Sequence, residues 1–322
     1  MFRFLDGYDS LMQALWAEAE SYGATINLKT IVKEIHWSGD RVEAVCEDDD
    51  GEKSFAASRA IVTLPLGVLQ TNRDEPPAVR FVPELPPEKR AAINHLAMGN
   101  VLRIVLRFRE RFWESLKLWD KDANQLKFAD AAFIHYPDAS IPTWWTQLPI
   151  RAPVLIGWAG GPRADSLIGT EPLAVASGSS SSVERTIESS PALQRWDREP
   201  SSASEPARAT DAARNELLDQ AIASLAVIFN ISTETVRDQL DASYFHDWRH
   251  DPFSRGAYSY VPVNGLDAQK ILSQPIDNRL FFAGEATAVG HIGTVHGAIQ
   301  SGQRAAREVP LHDLSKILVE VI

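Results

Sequence analysis

The sequence predicts a mixed α/β (α+β) chain of two domains. Three observations carry that expectation. The length of 322 residues exceeds one domain of roughly 150. Short runs of alternating apolar residues separated by Asp/Gly turns fill the stretch from Thr30 to Thr63, which is strand patterning. Near the end, Leu280-Phe-Phe-Ala283 feeds through a glycine-bearing loop into a helix striped by Val295, Ala298, Ile299, Gly302, Ala305 and Ala306. A strand that enters a helix this way aims free N–H groups and the positive helix end at one point, a geometry suited to an anion or an electron-rich ring.

The elements follow in order. Asp9-Ser10 can cap a helix carrying Leu11, Met12, Leu15, Trp16 and Ala19, with Gly23 as its stop. Strands are expected at Thr25–Leu28, Thr30–Trp37, Arg41–Glu47, Lys53–Ala57 and Ala60–Thr63, two of them paired as a hairpin. Pro65 and the prolines at 76, 77, 83, 86 and 87 mark a crossing to another layer. Pro87 opens a helix through Ile93, Leu96 and Ala97 that stops near Gly99. Val101–Phe108 is a strand with Leu102, Ile104, Leu106 and Phe108 on one face and Val101, Arg103, Val105 and Arg107 on the other. Residues 174–210 are rich in Ser, Pro, Glu and Arg and read as a disordered insertion. Asp211–Phe229 is an amphipathic helix through Leu217, Leu218, Ala221, Ile222, Leu225, Ile228 and Phe229.

Composition narrows the function. Hydrophobic content of 44% and charged content of 23% allow an ordinary core. A net charge of −11 argues against nucleic acid as a partner, which needs a basic face. One cysteine, Cys46, permits no internal disulfide and fits a reducing, cytoplasmic setting. No apolar run reaches the roughly 18 residues of a membrane span, so no membrane partner is expected.

Several blocks occur together in a telling order: Asp6-Gly7-Tyr8, Ile31-Val-Lys-Glu-Ile35, Thr63-Leu-Pro-Leu-Gly-Val-Leu69, Phe81-Val-Pro-Glu-Leu-Pro86, Phe112-Trp113, Trp248-Arg-His-Asp-Pro252, Gly256-Ala-Tyr-Ser-Tyr260 and the terminal Gly284-Glu285 motif. In this order the chain resembles the flavin-dependent amine oxidases, on the branch of polyamine oxidases and lysine-specific histone demethylases. The resemblance implies an FAD-binding domain interrupted by a substrate domain with a mixed sheet and flanking helices. It divides the chain into a partial FAD-binding segment (1–72), a substrate domain (73–245), a second FAD-binding segment (246–310) and a tail (311–322).

The same resemblance assigns roles. The Val32 backbone would bond the adenine, and Thr63, Leu64 and Pro65 would return the chain past the cofactor. Gly284 and Glu285 would hold it, the carboxylate accepting from a cofactor hydroxyl. Thr294 and the Val295 amide would face the flavin's pyrimidine edge. Trp248, Tyr258 and Thr294 would border the amine, with an aromatic face suited to a cation. No cysteine lies near Ala286, so FAD is expected to be held without a covalent bond. The partners implied are a small-molecule amine and molecular oxygen or another electron acceptor.

Two departures stand out. Arg103 occupies a position where many relatives carry a lysine that holds a water and promotes reoxidation by oxygen. Arginine keeps the charge but is planar and hard to deprotonate; it either holds the same water or slows oxygen use. Arg103 is therefore the catalytic candidate. Second, no Gly-x-Gly-x-x-Gly follows a strand. The FAD domain is expected to be incomplete in these residues and to need a complementing N-terminal chain. A non-catalytic interaction module, or another flavoprotein of the same architecture such as a desaturase or protoporphyrinogen oxidase relative, are the competing readings. His246 and His250 are four apart, but Asp251-Pro252 follows and no metal is expected there.

Overall fold

The computed structural model describes residues 7–71, 78–119, 125–126, 128–169, 211–309 and 317–319. The expected insertion at 174–210 and most of the tail lie outside them. The chain forms two compact units, one comprising Tyr8–Gly99 with Asp251–Ile322 and the other Asn100–His250 with Met1–Gly7.

The first unit opens with the helix Gly7–Ser21. It starts before Asp9-Ser10, so these two residues lie inside its first turn and not at the cap. The expected strand at Thr25–Leu28 does not form, and the chain crosses there in irregular conformation with Lys29 at φ 57. A four-stranded sheet follows, in the order Gly51–Ala57, Val42–Asp48, Ile31–His36, Arg80–Val82. The first three strands are antiparallel neighbours and the last runs parallel to Ile31–His36. A second sheet places Leu280–Phe282 and Ile317–Val319 on either side of Arg59–Val62, all parallel. Leu280, Phe281 and Phe282 are all buried, as a parallel strand requires.

Pro87 sits at the first turn of the helix Pro87–His95, where its missing N–H costs nothing. That helix ends earlier than the sequence suggests. Leu96 turns extended, and Ala97–Gly99 becomes a strand paired antiparallel with Tyr258–Tyr260. The core joins Val32, Ile35, Val62, Leu64, Phe81, Ile93, Leu280, Phe282 and Ala286 in one cluster.

The second unit is built on a five-stranded antiparallel sheet, ordered Phe133–His135, Thr143–Trp145, Val154–Gly160, Val101–Phe108, Leu240–Phe245. Leu102, Ile104, Leu106 and Phe108 are buried with Leu217, Ala221, Ile222, Leu225 and Phe229 of the helix Asp211–Phe229. The period-2 strand and the period-3.6 helix thus meet on the faces the sequence assigns.

Candidate functional site

The terminal strand-to-helix connection is fixed from three sides. Gly284 lies at φ 115, a conformation that disfavours side chains. Its N–H donates to the Ser301 hydroxyl at 2.9 Å, and that hydroxyl donates to the Gly284 and Ala298 carbonyls. The helix Val295–Glu308 is capped by Thr294, whose hydroxyl accepts from the Gly297 N–H at 3.1 Å and donates to the His291 carbonyl at 2.6 Å. The Thr294 proton is therefore already engaged. A methyl group on Gly297 would collide with the His291 carbonyl oxygen, so the loop can fold back over the helix only with glycine there.

Glu285 ties this loop to the neighbouring strand. One carboxylate oxygen accepts from the Ser259 N–H at 3.1 Å. The other accepts from the Ser259 hydroxyl and the Gly293 N–H, both at 2.7 Å. A carboxylate offers about four acceptor sites, so one remains for a ligand hydroxyl. Ser259 and Gly293 are site residues that sequence reasoning misses; the alternation in Tyr258-Ser-Tyr260 is the signal that could have placed Ser259 opposite its aromatic neighbours.

The mouth of the helix is open. Among the described residues the Val295 and His296 N–H groups meet no backbone acceptor, and Val295 is 44% exposed. His291 and His296 flank it with rings 4.7 Å apart and nitrogens at 3.1 Å. Tyr258, 39% exposed, packs against Gly293, where an added Cβ would lie 3.4 Å from the tyrosine ring. Tyr258, Thr294 and Val295 therefore share one locality with Glu285.

The other cofactor candidates belong to the same unit. Thr63-Leu64-Pro65 leaves the strand Arg59–Val62, and the Thr63 carbonyl lies 3.7 Å from where a Gly284 side chain would begin. Val32 is buried in the cluster that includes Leu64 and Ala286. The parallel partner of its strand begins only at Glu34, so the edge at Ile31–Lys33 carries no second neighbour among the described residues. These features fit a flavin dinucleotide: free amides for the ring's electron-rich edge, one carboxylate lone pair for a hydroxyl, and a bare strand edge for a base.

Two candidates lie in the second unit. Arg103 projects from the outward face of Val101–Phe108 and has no hydrogen-bond or ion-pair partner among the described residues. Crowding by the surrounding protein draws its pKa below the ordinary value, though guanidinium stays charged. Trp248 is 39% exposed and meets His246 edge-on, with ring centroids at 4.4 Å. His250 pairs with Asp247 at 2.8 Å, and no cluster of three metal-ligating side chains occurs among the described residues. No helix there is long and apolar enough to cross a membrane.

The family described as flavin containing amine oxidoreductase matches residues 1–200 and 200–310. The human lysine-specific histone demethylase 2 is 28% identical over 94% of this chain and 29% of its own length. The human peroxisomal N(1)-acetyl-spermine/spermidine oxidase is 27% identical over 94% of this chain and 53% of its own. Putrescine oxidase bound to putrescine superposes with a TM-score of 0.62 at 17% identity, over 93% of this chain and 52% of that one. The chain thus spans about half or less of the proteins it matches.

Proposed function

This chain belongs to the flavin containing amine oxidoreductase family, and from that membership we propose that it takes part in oxidising the C–N bond of an amine with FAD held non-covalently. The observation that carries the reading is the open helix mouth at Val295, set beside Tyr258 and steadied by Glu285. When bound, FAD would supply a hydride acceptor for oxidation of the amine carbon to an imine, which water would hydrolyse. The chain's own residues bind and orient. The Val295 N–H and the helix dipole favour negative charge at the ring edge by about 0.3–2 kcal/mol. Glu285 takes a cofactor hydroxyl on its remaining lone pair. Tyr258 offers a ring face to the amine. Arg103 holds water and sets the rate at which oxygen, or another acceptor, withdraws electrons. The only cysteine, Cys46, is fully buried in a strand, which supports a non-covalent cofactor in a reducing, cytoplasmic setting.

The missing glycine fingerprint supports a further element of the proposal. A strand–Gly-x-Gly-x-x-Gly–helix segment, supplied by a second chain or by more of the same protein, completes the pyrophosphate site. The competing reading is a non-catalytic module that keeps the fold. The test is a titration of the purified chain with FAD, followed by flavin absorption and fluorescence polarisation. Retained colour that bleaches anaerobically with an amine supports amine oxidation. A protein that leaves added FAD unchanged favours the module.

A further inference from the structure

His291 and His296 are the residues of the terminal loop that the chemistry above leaves unused. Nδ1 of His291 and Nε2 of His296 lie 3.1 Å apart, with ring centroids at 4.7 Å and planes 65° apart. Both side chains are exposed, so water and ions reach them. A hydrogen bond between two imidazoles needs one donor and one acceptor, so at least one lone pair already points at its neighbour.

The backbone holds the rings at that spacing. The His291 N–H donates to the Ala288 carbonyl at 2.9 Å, and the His291 carbonyl accepts from the Thr294 hydroxyl at 2.6 Å. His296 lies in the first turn of the helix Val295–Glu308, whose cap is set by the Gly297 N–H on the Thr294 hydroxyl at 3.1 Å. A side chain on Gly297 would collide with the His291 carbonyl, so loop and helix approach as closely as backbone permits. Little conformational entropy remains to be lost when one ligand joins both rings.

The spacing fits a metal ion. Imidazole nitrogens sit about 2.0–2.1 Å from zinc, which puts two of them about 2.9 Å apart at a right-angled corner and about 3.3 Å apart at a tetrahedral one. The observed 3.1 Å lies between the two. The ring torsion of histidine is broad, so a tilt turns both lone pairs to one point beside the contact. Charge acts in both directions there. The positive helix end opposes a cation, an effect that salt screens at an exposed turn. The Glu285 carboxylate, which accepts from the Gly293 N–H of the same loop at 2.7 Å, favours one, as does the net charge of −11.

We propose that His291 and His296 chelate one divalent late first-row cation, of the zinc, nickel or copper class, which clips the loop to the first helical turn. Water completes the coordination shell, since no third ligating side chain joins the pair among the described residues. Two neutral imidazoles bind the ion without net loss of a proton. The ring that carried its proton between the two moves it to its outer nitrogen, and two nitrogen–metal bonds replace two water–metal bonds. Imidazole suits these ions better than magnesium or calcium, which take oxygen ligands. The site stands on ring geometry alone and needs no amine oxidation.

The test is calorimetric titration of the untagged chain with zinc, nickel and magnesium chlorides, using the wild type, His291→Gln, His296→Gln, the double variant and His95→Gln. One equivalent of zinc or nickel is expected to bind, and magnesium is not. Either single substitution at the pair should weaken binding by about tenfold or more, because a second ligand held in place raises the effective concentration. The double variant should lose little beyond either single one, the non-additivity of a chelate. His95, exposed on another helix, should be replaceable without effect. Zinc should also raise the thermal midpoint of the wild type and not of the single variants. A measurement on the wild type alone keeps the proposal testable if a variant misfolds: zinc should protect His291 and His296 from diethyl pyrocarbonate, read by peptide mass. No zinc or nickel binding, equal binding by magnesium, wild-type affinity in either single variant, additive losses in the double variant, or modification unchanged by zinc overturns the proposal.

Discussion

Glu285 accepts a hydrogen bond from the Gly293 amide at 2.7 Å, and this bond folds the loop so that the Val295 amide stays free. The same carboxylate holds Ser259 through its amide and hydroxyl. Three donors converge on one anion, which is stronger than the same contacts to a neutral acceptor. Glu285→Gln puts an NH2 group against at least one of these donors. It should destabilise the protein by about 1–3 kcal/mol and weaken FAD binding by about tenfold. Urea denaturation and flavin titration of the same preparation check both. FAD affinity equal to the wild type would show that the loop does not need this tie.

Lys89 gives a pH dependence with a definite sign. It is 3% exposed, and its ammonium donates to the carbonyls of Ile271 at 2.7 Å, Leu272 at 3.1 Å and Gln274. It also lies 4.3 Å over the Phe282 ring. Arg304 takes the remaining carbonyl of that turn, Ser273, at 2.9 Å and the Phe282 carbonyl at 2.6 Å. Two cations thus cap one helix end, where the dipole is negative. Burial, and next the Arg304 charge, push the Lys89 pKa from 10.5 down to about 8. The Glu88 and Glu308 carboxylates pull the other way without reversing it. Between pH 8 and 10.5 the unfolded chain then binds more protons at this residue than the folded one, so stability rises with pH across that window. A cavity of about 220 Å³ lined by Glu88, Lys89, Gln274 and Asp277 gives the proton a way out. In urea denaturation at pH 7, 8, 9 and 10, the wild type should gain on Lys89→Met as pH rises. A flat or falling difference contradicts the assignment.

Gly297→Ala sets two effects against each other. Alanine is favoured over glycine inside a helix by about 1 kcal/mol. Here its methyl meets the His291 carbonyl and the Thr294 hydroxyl, and the second is the cap itself. Overpacking against backbone costs about 1–3 kcal/mol, so the net change should be a loss. Thermal unfolding should shift down by several degrees, and the variant should bind FAD more weakly because the His291–Thr294 turn is displaced. A rise in the midpoint would mean that the turn relaxes freely.

These residues also show what the sequence discloses and what it hides. Alternation along Val101–Phe108 and the stripe along Asp211–Phe229 read directly onto the faces that are buried, because burial imposes each period. The cap at Thr294 is local chemistry too, yet the resemblance assigns Thr294 to the flavin edge and the amine, and its engagement by Gly297 and His291 emerges only from the structure. Thr25–Leu28 has strand-like residues and forms no strand, since pairing depends on a partner that local pattern cannot reveal. Lys89 looks like a solvated helix residue in Pro86-Pro-Glu-Lys-Arg90; its carbonyl partners lie more than 180 residues away. Gly293 has no local signal, because it meets Ser259 and Tyr258 only once the loop has folded back onto their strand. Phe133 and Trp145 come opposite one another only once the strands are in register.

Arg103 supplies the last prediction. It stands where the family resemblance implies a lysine, and it has no hydrogen-bond or ion-pair partner among the described residues. Lysine is compact and can lose its proton when crowded, whereas guanidinium cannot. Arg103→Lys should therefore speed reoxidation of the reduced, flavin-loaded protein by oxygen, measured by stopped-flow absorption after anaerobic reduction. Circular dichroism of the variant, expected to match the wild type, separates a role at the oxygen step from a loss of folding. An unchanged reoxidation rate would remove Arg103 from the oxygen step.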